Sequence, residues 1–313
     1  MLENKNNANY PLVSFLVPSY NHEKYVATCV RSVIDQDYQN IELIIIDDGS
    51  NDDSVRTIAQ MAAACKSRFT RFEFRSRENR GLPATINEAL EWSQGKYFSA
   101  IASDDVLRPN KTSLLISQIE GEEDVAGVFS GCEVIDHSGS VVKLFKPPPA
   151  YHTFDDILFC KHAVITPSQL LRLDLVRAAG GYPEDVYIED WYMWLALTQR
   201  GFKLKIISDP LVQYRQHDSN SSKAALKMYE GRKSVLSHFK DHPGYELVLA
   251  EVCAMAAIDF SRVSKRMASR YLIEAVTHNR GVIFSHVFAK ALTRLLAPAA
   301  LLEYLRKLRD QAL

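Results

Sequence analysis

The chain has 313 residues, 47% hydrophobic and 24% charged; this is the composition of an ordinary globular protein, with room for one large domain or a domain plus an appendage. Its 37 basic and 38 acidic residues give a formal net charge of -1, so the chain as a whole is not built to bind nucleic acid. Five scattered cysteines without a Cys-x-x-Cys pair argue against a disulfide frame or a zinc site and fit reduced thiols in a cytosolic protein.

No run reaches the ~18 apolar residues of a membrane-spanning helix, and the polar residues 1–10 do not read as a signal peptide. Residues 13–17 read as a short buried strand. Val26, Val30, Val33 and Ile34 then recur on one face of a helix. Residues 41–46 are a second strand. Asp52 or Asp53 is placed to cap a helix whose apolar face is Val55, Ile58, Ala59 and Ala62. Residues 69–75 alternate imperfectly as a third strand, and Ile86, Ala89 and Leu90 mark a helix. The apolar run 97–102 is a fourth strand, and Pro109 suits the first position of the next helix. This rhythm predicts a parallel α/β sheet. Residues 125–172 carry short apolar runs with turn signals, the pattern of a mixed sheet. A helix follows over 190–200, with Trp191, Trp194, Leu195 and Thr198 on one face and Gly201 as its stop. Residues 204–207 and 212–215 read as two strands, and the chain is helical from Lys223. A boundary near Ser222 divides it into 1–222 and 223–313.

Chemistry-bearing residues cluster where strands end. Asp104-Asp105 closes the fourth strand; adjacent carboxylates repel and are costly to bury unless a cation or strong donors meet them. The pair reads as a divalent-cation seat or as a solvated loop and helix cap. Val17-Pro18-Ser19-Tyr20-Asn21 offers a tyrosine that can stack on a flat ring, or a turn with a packed aromatic. Asp47-Asp48-Gly49-Ser50 offers a carboxylate for a base N–H or a ribose hydroxyl, or a turn and cap. Glu189-Asp190-Trp191-Tyr192 sets two acids where a helix dipole favours them, or a general base beside a sugar-facing aromatic. His217 follows a strand, as a surface residue or a ligand. With no Gly-x-Gly-x-x-Gly and no Walker-type loop, a phosphate ligand would lean on a metal rather than on glycine-rich amides.

In their order these segments, with Asn79-Arg80-Gly81, Asn87, Gly181-Tyr182 and Tyr214-Arg215-Gln216-His217, make the chain resemble the family 2 glycosyltransferases over about residues 11–222. The resemblance implies an α/β fold of the GT-A type: Rossmann-like, with a mostly parallel central sheet and a smaller mixed sheet, followed here by a C-terminal helical region. It implies inverting transfer from a nucleoside-diphosphate sugar, usually a UDP-sugar, with Mn²⁺ or Mg²⁺. Pro18, Tyr20 and Asn21 would wall the base, Asp48 would read it, and Asp104 would face the ribose or a metal-bound water. Asp105 would bind the metal, with His217 near it, and Asp190 would be the catalytic base. Glu189 and Tyr192 are the acceptor-side candidates. Two departures stand out: Ala102 occupies the first acidic position of the family's Asp-x-Asp-Asp, and Thr85 and Ile86 stand where many members carry an arginine. Arg80 is the candidate to supply that charge to the diphosphate.

The implied acceptor is a saccharide or lipid-linked hydroxyl in bacterial surface-polysaccharide assembly, whether O-antigen, capsule or exopolysaccharide. A cytoplasmic enzyme follows, with peripheral contact at the inner membrane or self-association through the C-terminal helices as the two uses of the basic, leucine-rich end. The competing readings are a metal-independent glycoside hydrolase, since paired carboxylates also cleave glycosides, and a non-catalytic sugar-nucleotide-binding scaffold.

Overall fold

The computed structural model describes residues 10–161, 164–216, 225–261 and 263–297. The chain divides into two compact units, one of Met1–Glu184 and Asp190–His217, the other of Asp185–Glu189 and Asp218–Leu313.

The first unit is built on one ten-stranded sheet: β1 (Val13–Ser19), β2 (Ile41–Asp47), β3 (Arg71–Ser76), β4 (Tyr97–Ala100), β5 (Val106–Leu107), β6 (Val125–Ile135), β7 (Val141–Phe145), β8 (Ala150–His152), β9 (Leu170–Arg172) and β10 (Lys203–Arg215). The spatial order is β3-β2-β1-β4-β9-β6-β10-β5, with β7 beside β6 and β8 beside β10. β3, β2, β1 and β4 are mutually parallel. β9 is antiparallel to both β4 and β6, so β4 and β6 share a direction, and β10 runs parallel to β6. The parallel and mixed parts are thus one continuous sheet, joined through the short β9.

Burial explains the local choices. Every residue of β2 is buried, as residues 43–46, all aliphatic, require of a parallel strand covered on both faces; the buried Glu42 is met by Ser14 Oγ and Arg71. No residue of β3 is buried; it is the edge strand, and its blurred alternation follows from that. The helices of this unit are α1 (Val26–Ile34), α2 (Ser54–Arg68), α3 (Leu82–Trp92), α4 (Lys111–Ile119), α5 (Phe154–Leu158), α6 (Leu173–Ala178) and α7 (Glu189–Gln199). α2 buries Ser54, Ile58 and Cys65, not Ala59, which is exposed. Asp53 holds the cap position without a capping bond. Asp52 supplies it instead, accepting from Ser54 N and Oγ at 3.0 and 2.5 Å. Pro109 precedes the α4 cap residue Asn110 rather than opening the helix.

β10 is one strand where the sequence suggests two. Its register against β6 shifts around Pro210, a bulge that tolerates proline because the ladder donor is already lost there. Opposite the bulge, a Cβ on Gly131 would stand 2.5 Å from Phe145 O and 2.9 Å from Ser208 O. α7 buries Trp191 and every residue from Met193 to Thr198, so it is a core helix and not an amphipathic one.

The second unit is helical: α8 (Ala225–Ser237), α9 (Tyr245–Phe260), α10 (Lys265–His278) and α11 (His286–Leu296). Cys29, Cys65, Cys132 and Cys253 are buried and Cys160 is exposed. Among the described residues no helix is long and apolar enough to cross a membrane.

Candidate active site

The carboxyl ends of β1, β2, β3, β4, β6 and β10 share one edge of the sheet. β1 stays paired with β2 as far as Ser19 and Asp47, whereas β4 leaves β1 after Ala100, with a last bond from Ile101 N to Leu16 O at 3.0 Å. Pro18 lies two residues beyond Leu16 on the same side of the ladder, so the amide it lacks would have faced the space that β4 vacates. Here the strand order reverses, the place where open α/β sheets hold their ligands. Tyr20, 47% exposed, stands at this opening, and the buried Ser19 Oγ has no hydrogen-bond partner.

The loops after β1 and β2 are tied together. Asn21 adopts a left-handed backbone (φ 55°), which asparagine tolerates better than most residues. Its N–H donates to Ser50 Oγ and its Oδ1 accepts from Asn51 N, both at 2.8 Å. Asp48, 6% exposed, receives Arg80 N (2.8 Å) and Gly81 N (2.9 Å), and the Arg77 guanidinium as an ion pair. Asp48 therefore anchors the 77–81 loop across the end of β2. Gly49 makes room for that loop: its φ is +81° and a Cβ there would meet Asn79 N at 2.7 Å. Arg80 reaches Asp48 through its backbone only; its guanidinium is more than half exposed, 3.8 Å from Glu184. Arg77, which the sequence reading passed over, is the cation in contact with Asp48, and it also bonds Glu88 and Thr85 at 2.8 and 2.9 Å.

Past β4 the chain turns through Ser103, Asp104 and Asp105, which are 1%, 6% and 1% exposed. Asp105 N donates to Ala102 O at 3.0 Å, and Asp105 Oδ1 accepts from Arg215 N at 2.8 Å. Arg215, at the end of β10, donates from Nε to Asp104 O (2.8 Å) and lies over the Tyr25 ring at 4.6 Å. Burial, with the Asp104 charge beside it, pushes the Asp105 carboxyl well above the ordinary carboxylate range. The buried Cys29 thiol is pushed up by burial and by the same two acids. His22, also absent from the sequence candidates, meets Ser103 Oγ through Nδ1 at 2.8 Å.

The segment before β9 brings in the last acid. β9 runs antiparallel to β4, so its lead-in, the 3-10 turn Thr166–Ser168, lies beyond the carboxyl end of β4. Thr166 Oγ1 donates to Asp190 Oδ2, and Trp191 N to Asp190 Oδ1 at 2.6 Å. Burial raises the Asp190 carboxyl above its ordinary value despite these two donors. Trp191 turns into the core and donates to Ile157 O at 3.1 Å. Glu189 and Tyr192 flank Asp190 and are partly exposed. His217 lies outside the described residues.

The donor set suits a hard divalent cation. Two nearly buried carboxylates side by side are what oxygen-preferring ions such as Mg²⁺ and Mn²⁺ take. Asp48, Asp104, Asp105 and Asp190 thus gather along one edge of the sheet.

The sequence profile described as glycosyl transferase family 2 matches residues 14–172, a span that runs from the second residue of β1 to the end of β9 and holds every acid of this edge except Asp190. TuaG of Bacillus subtilis (strain 168), whose name places it provisionally in teichuronic acid biosynthesis as a glycosyltransferase, is 31% identical over 230 residues, 70% of this chain and 86% of its own. Among solved structures, S. aureus TarS 1–349 in complex with UDP-GlcNAc superposes with a TM-score of 0.65 at 18% identity, covering 96% of this chain and 88% of that 1–349 chain. The mannosyltransferase PcManGT of Pyrobaculum calidifontis, in complex with GDP-Man and Mn²⁺, does so at 0.57 and 15%, covering 92% and 88%. Profile, relative and superpositions agree with the arrangement of strand-end acids: the chain is a glycosyltransferase of the GT-A fold and belongs to glycosyl transferase family 2.

Proposed function

We infer that the enzyme moves a sugar from a nucleoside-diphosphate sugar, with UDP as its nucleotide, to a hydroxyl of a saccharide or lipid-linked acceptor, inverting the anomeric centre. The gathering of Asp48, Asp104, Asp105 and Asp190 on one edge carries this reading. The TarS and PcManGT complexes hold UDP-GlcNAc and GDP-Man on the same fold, and the kinship with TuaG supports a place in bacterial surface-polysaccharide synthesis.

In this reading Tyr20 stacks on the base, which Pro18 and Asn21 flank. The Asp48 region, with the 77–81 loop pinned to it, reads the base edge. Arg80, whose guanidinium is more than half exposed, would lend its charge to the diphosphate, whereas Arg77 is already paired with Asp48 and Glu88. Asp105 would hold Mn²⁺ or Mg²⁺ with Asp104 at the ribose or a metal-bound water, and the ion would neutralise charge on the departing diphosphate. Asp190 takes the acceptor's hydroxyl proton while that oxygen bonds the anomeric carbon. The glycosyl–phosphate bond breaks on the opposite side, and its electron pair leaves with the nucleoside diphosphate. A carboxyl raised by burial is a stronger base than an exposed aspartate, and the Thr166 hydroxyl and Trp191 amide fix its direction.

Asp190→Asn tests the assignment. Base catalysis contributes about 10²- to 10⁴-fold, so transfer from the UDP-sugar that most raises the thermal midpoint with Mn²⁺ should fall by that order, while the midpoint shift itself persists. Near wild-type turnover in this variant would remove Asp190 from the role. A donor screen in which no UDP-sugar shifts the midpoint would remove UDP as the nucleotide.

A further inference from the structure

The helical unit carries a second constellation that the transfer reaction does not use. Cys253 on α9 and Glu274 and His278 on α10 each point one ligand atom into a common space, and those atoms all lie within 4.8 Å of one another. Glu274 and His278 are four residues apart, one turn on a single helix face. The partners around them are already in place. Tyr229 on α8 donates to Glu274 Oε1 at 2.7 Å and lies 3.8 Å from Cys253 Sγ. Glu246, seven residues before Cys253 on α9, stands 3.1 Å from His278 Nδ1. Cys253 is fully buried, and Glu274 and His278 are partly so.

We propose that Cys253, Glu274 and His278 form a zinc site that clips α9 to α10, with Glu246 orienting the His278 ring and Tyr229 the Glu274 carboxylate. One sulfur, one nitrogen and one oxygen make a donor set for a borderline ion, unlike the all-carboxylate pair Asp104-Asp105. In a tetrahedral zinc site with bonds of about 2.0–2.3 Å the ligand atoms stand roughly 3.2–3.8 Å apart, so closure needs about 1 Å of side-chain movement. A water completes the fourth position. Outer partners of this kind, a carboxylate on the ligating histidine and a donor on the ligating carboxylate, are what fix ligand direction in metal centres. Burial holds the metal-free thiol up at about 11, so binding displaces its proton to solvent as the sulfur–metal bond forms. One cysteine and two side chains from another helix leave no spacing signature in the sequence.

The test uses the full-length chain, stripped with chelator and titrated with Co²⁺ as a spectroscopic stand-in for Zn²⁺. A near-ultraviolet thiolate-to-cobalt charge-transfer band should appear, saturate at one ion per chain, and vanish in Cys253→Ser and in His278→Asn. It should persist in Cys29→Ser, which removes the thiol next to Asp105. Zn²⁺ should raise the thermal midpoint of the wild type by more than that of His278→Asn, a control that holds even if the serine variant folds poorly. Absence of the band, or its loss in Cys29→Ser with retention in His278→Asn, overturns the proposal.

Discussion

Lys111 has no exposed surface at all. It is the first residue of α4, and its ammonium donates to Ser99 Oγ at 2.9 Å and Gln169 O at 3.1 Å, 5.5 Å from the Phe15 ring centre. Burial brings its pKa down from 10.5 to about 7. Below pH 7 both folded and unfolded chains hold the proton, and the folded state bears the full cost of a buried charge. Between about pH 7 and 10.5 the folded chain has released it and the unfolded chain has not, so stability rises with pH, by roughly a few kcal/mol across the window. Lys111→Met lacks this term. Its stability relative to wild type, from denaturant melts at a series of pH values, should therefore fall steadily from pH 7 to 10; parallel curves would show that Lys111 does not titrate there. A lone lysine between Asn110 and Thr112 carries no sign of such a place in the sequence. Arg77 and His22 escaped for a related reason: each sits in a polar stretch and acquires meaning only through a partner far along the chain, Asp48 and Ser103. Asp48, Asp104, Asp105 and Asp190 were legible because acids that follow apolar strands, or open a tryptophan-rich helix, are conspicuous locally.

At the scale of elements, Asn87 and Gly181-Tyr182 are separate segments of the family resemblance, 94 residues apart. They are one latch. Asn87 Nδ2 donates to Tyr182 O at 2.6 Å, and Tyr182 N donates to Asn87 Oδ1 at 2.8 Å. A Cβ on Gly181, whose φ is +74°, would stand 2.7 Å from that same Oδ1. The latch joins α3 to the turn after α6. Tyr182 is buried, so Asn87→Ala strands one buried N–H and one buried C=O. The expected loss is about 2–4 kcal/mol, summing two unsatisfied groups, read from urea midpoints; a change below about 0.5 kcal/mol, the range of an ordinary surface substitution, would mean the turn is held by other contacts. Strand and helix identities followed from period alone for β1, β2, α1 and α3. The continuity of β10 did not, because Ser208, Asp209 and Pro210 look like a loop, and only the two successive register shifts against β6 keep them in the strand. The helix α7 hid its burial for the opposite reason: with nearly every side covered, no polar stripe marks its orientation.

On the scale of the whole molecule, what no local pattern discloses is the insertion of β9 between β4 and β6 and the passage of five residues into the helical unit. Asp185–Glu189 belongs with the C-terminal helices. A Cβ on Gly231 of α8 would approach Ile188 Cγ1 to 3.0 Å and Tyr187 Cδ1 to 3.1 Å, and Ser234 Oγ donates to Asp185 O at 3.3 Å. Glu189 ends this excursion and Asp190 follows it directly. A chain ending at His217 would leave residues 185–189 without α8. It should still take nucleotide, because Asp48 and Asp105 keep their bonds to Arg77, Arg80, Gly81 and Arg215, yet lose about 10²-fold in turnover, the cost of misplacing a catalytic group by about 1 Å. Midpoint shifts with nucleotide beside single-turnover rates would separate the two effects. Full activity in the shortened chain would show that the excursion does not position Asp190.

The distribution of thiols has a practical consequence. Burial lifts Cys65, Cys132 and Cys253 to about 11 and Cys29 well above its usual value, whereas Cys160 is exposed. Because alkylating reagents react with accessible thiolates, the native chain behaves toward them as a protein with a single cysteine. That cysteine lies six residues before Thr166, the partner of the Asp190 carboxylate. A dye attached at Cys160 would report on this segment in the wild-type sequence, without first removing the other four sulfurs.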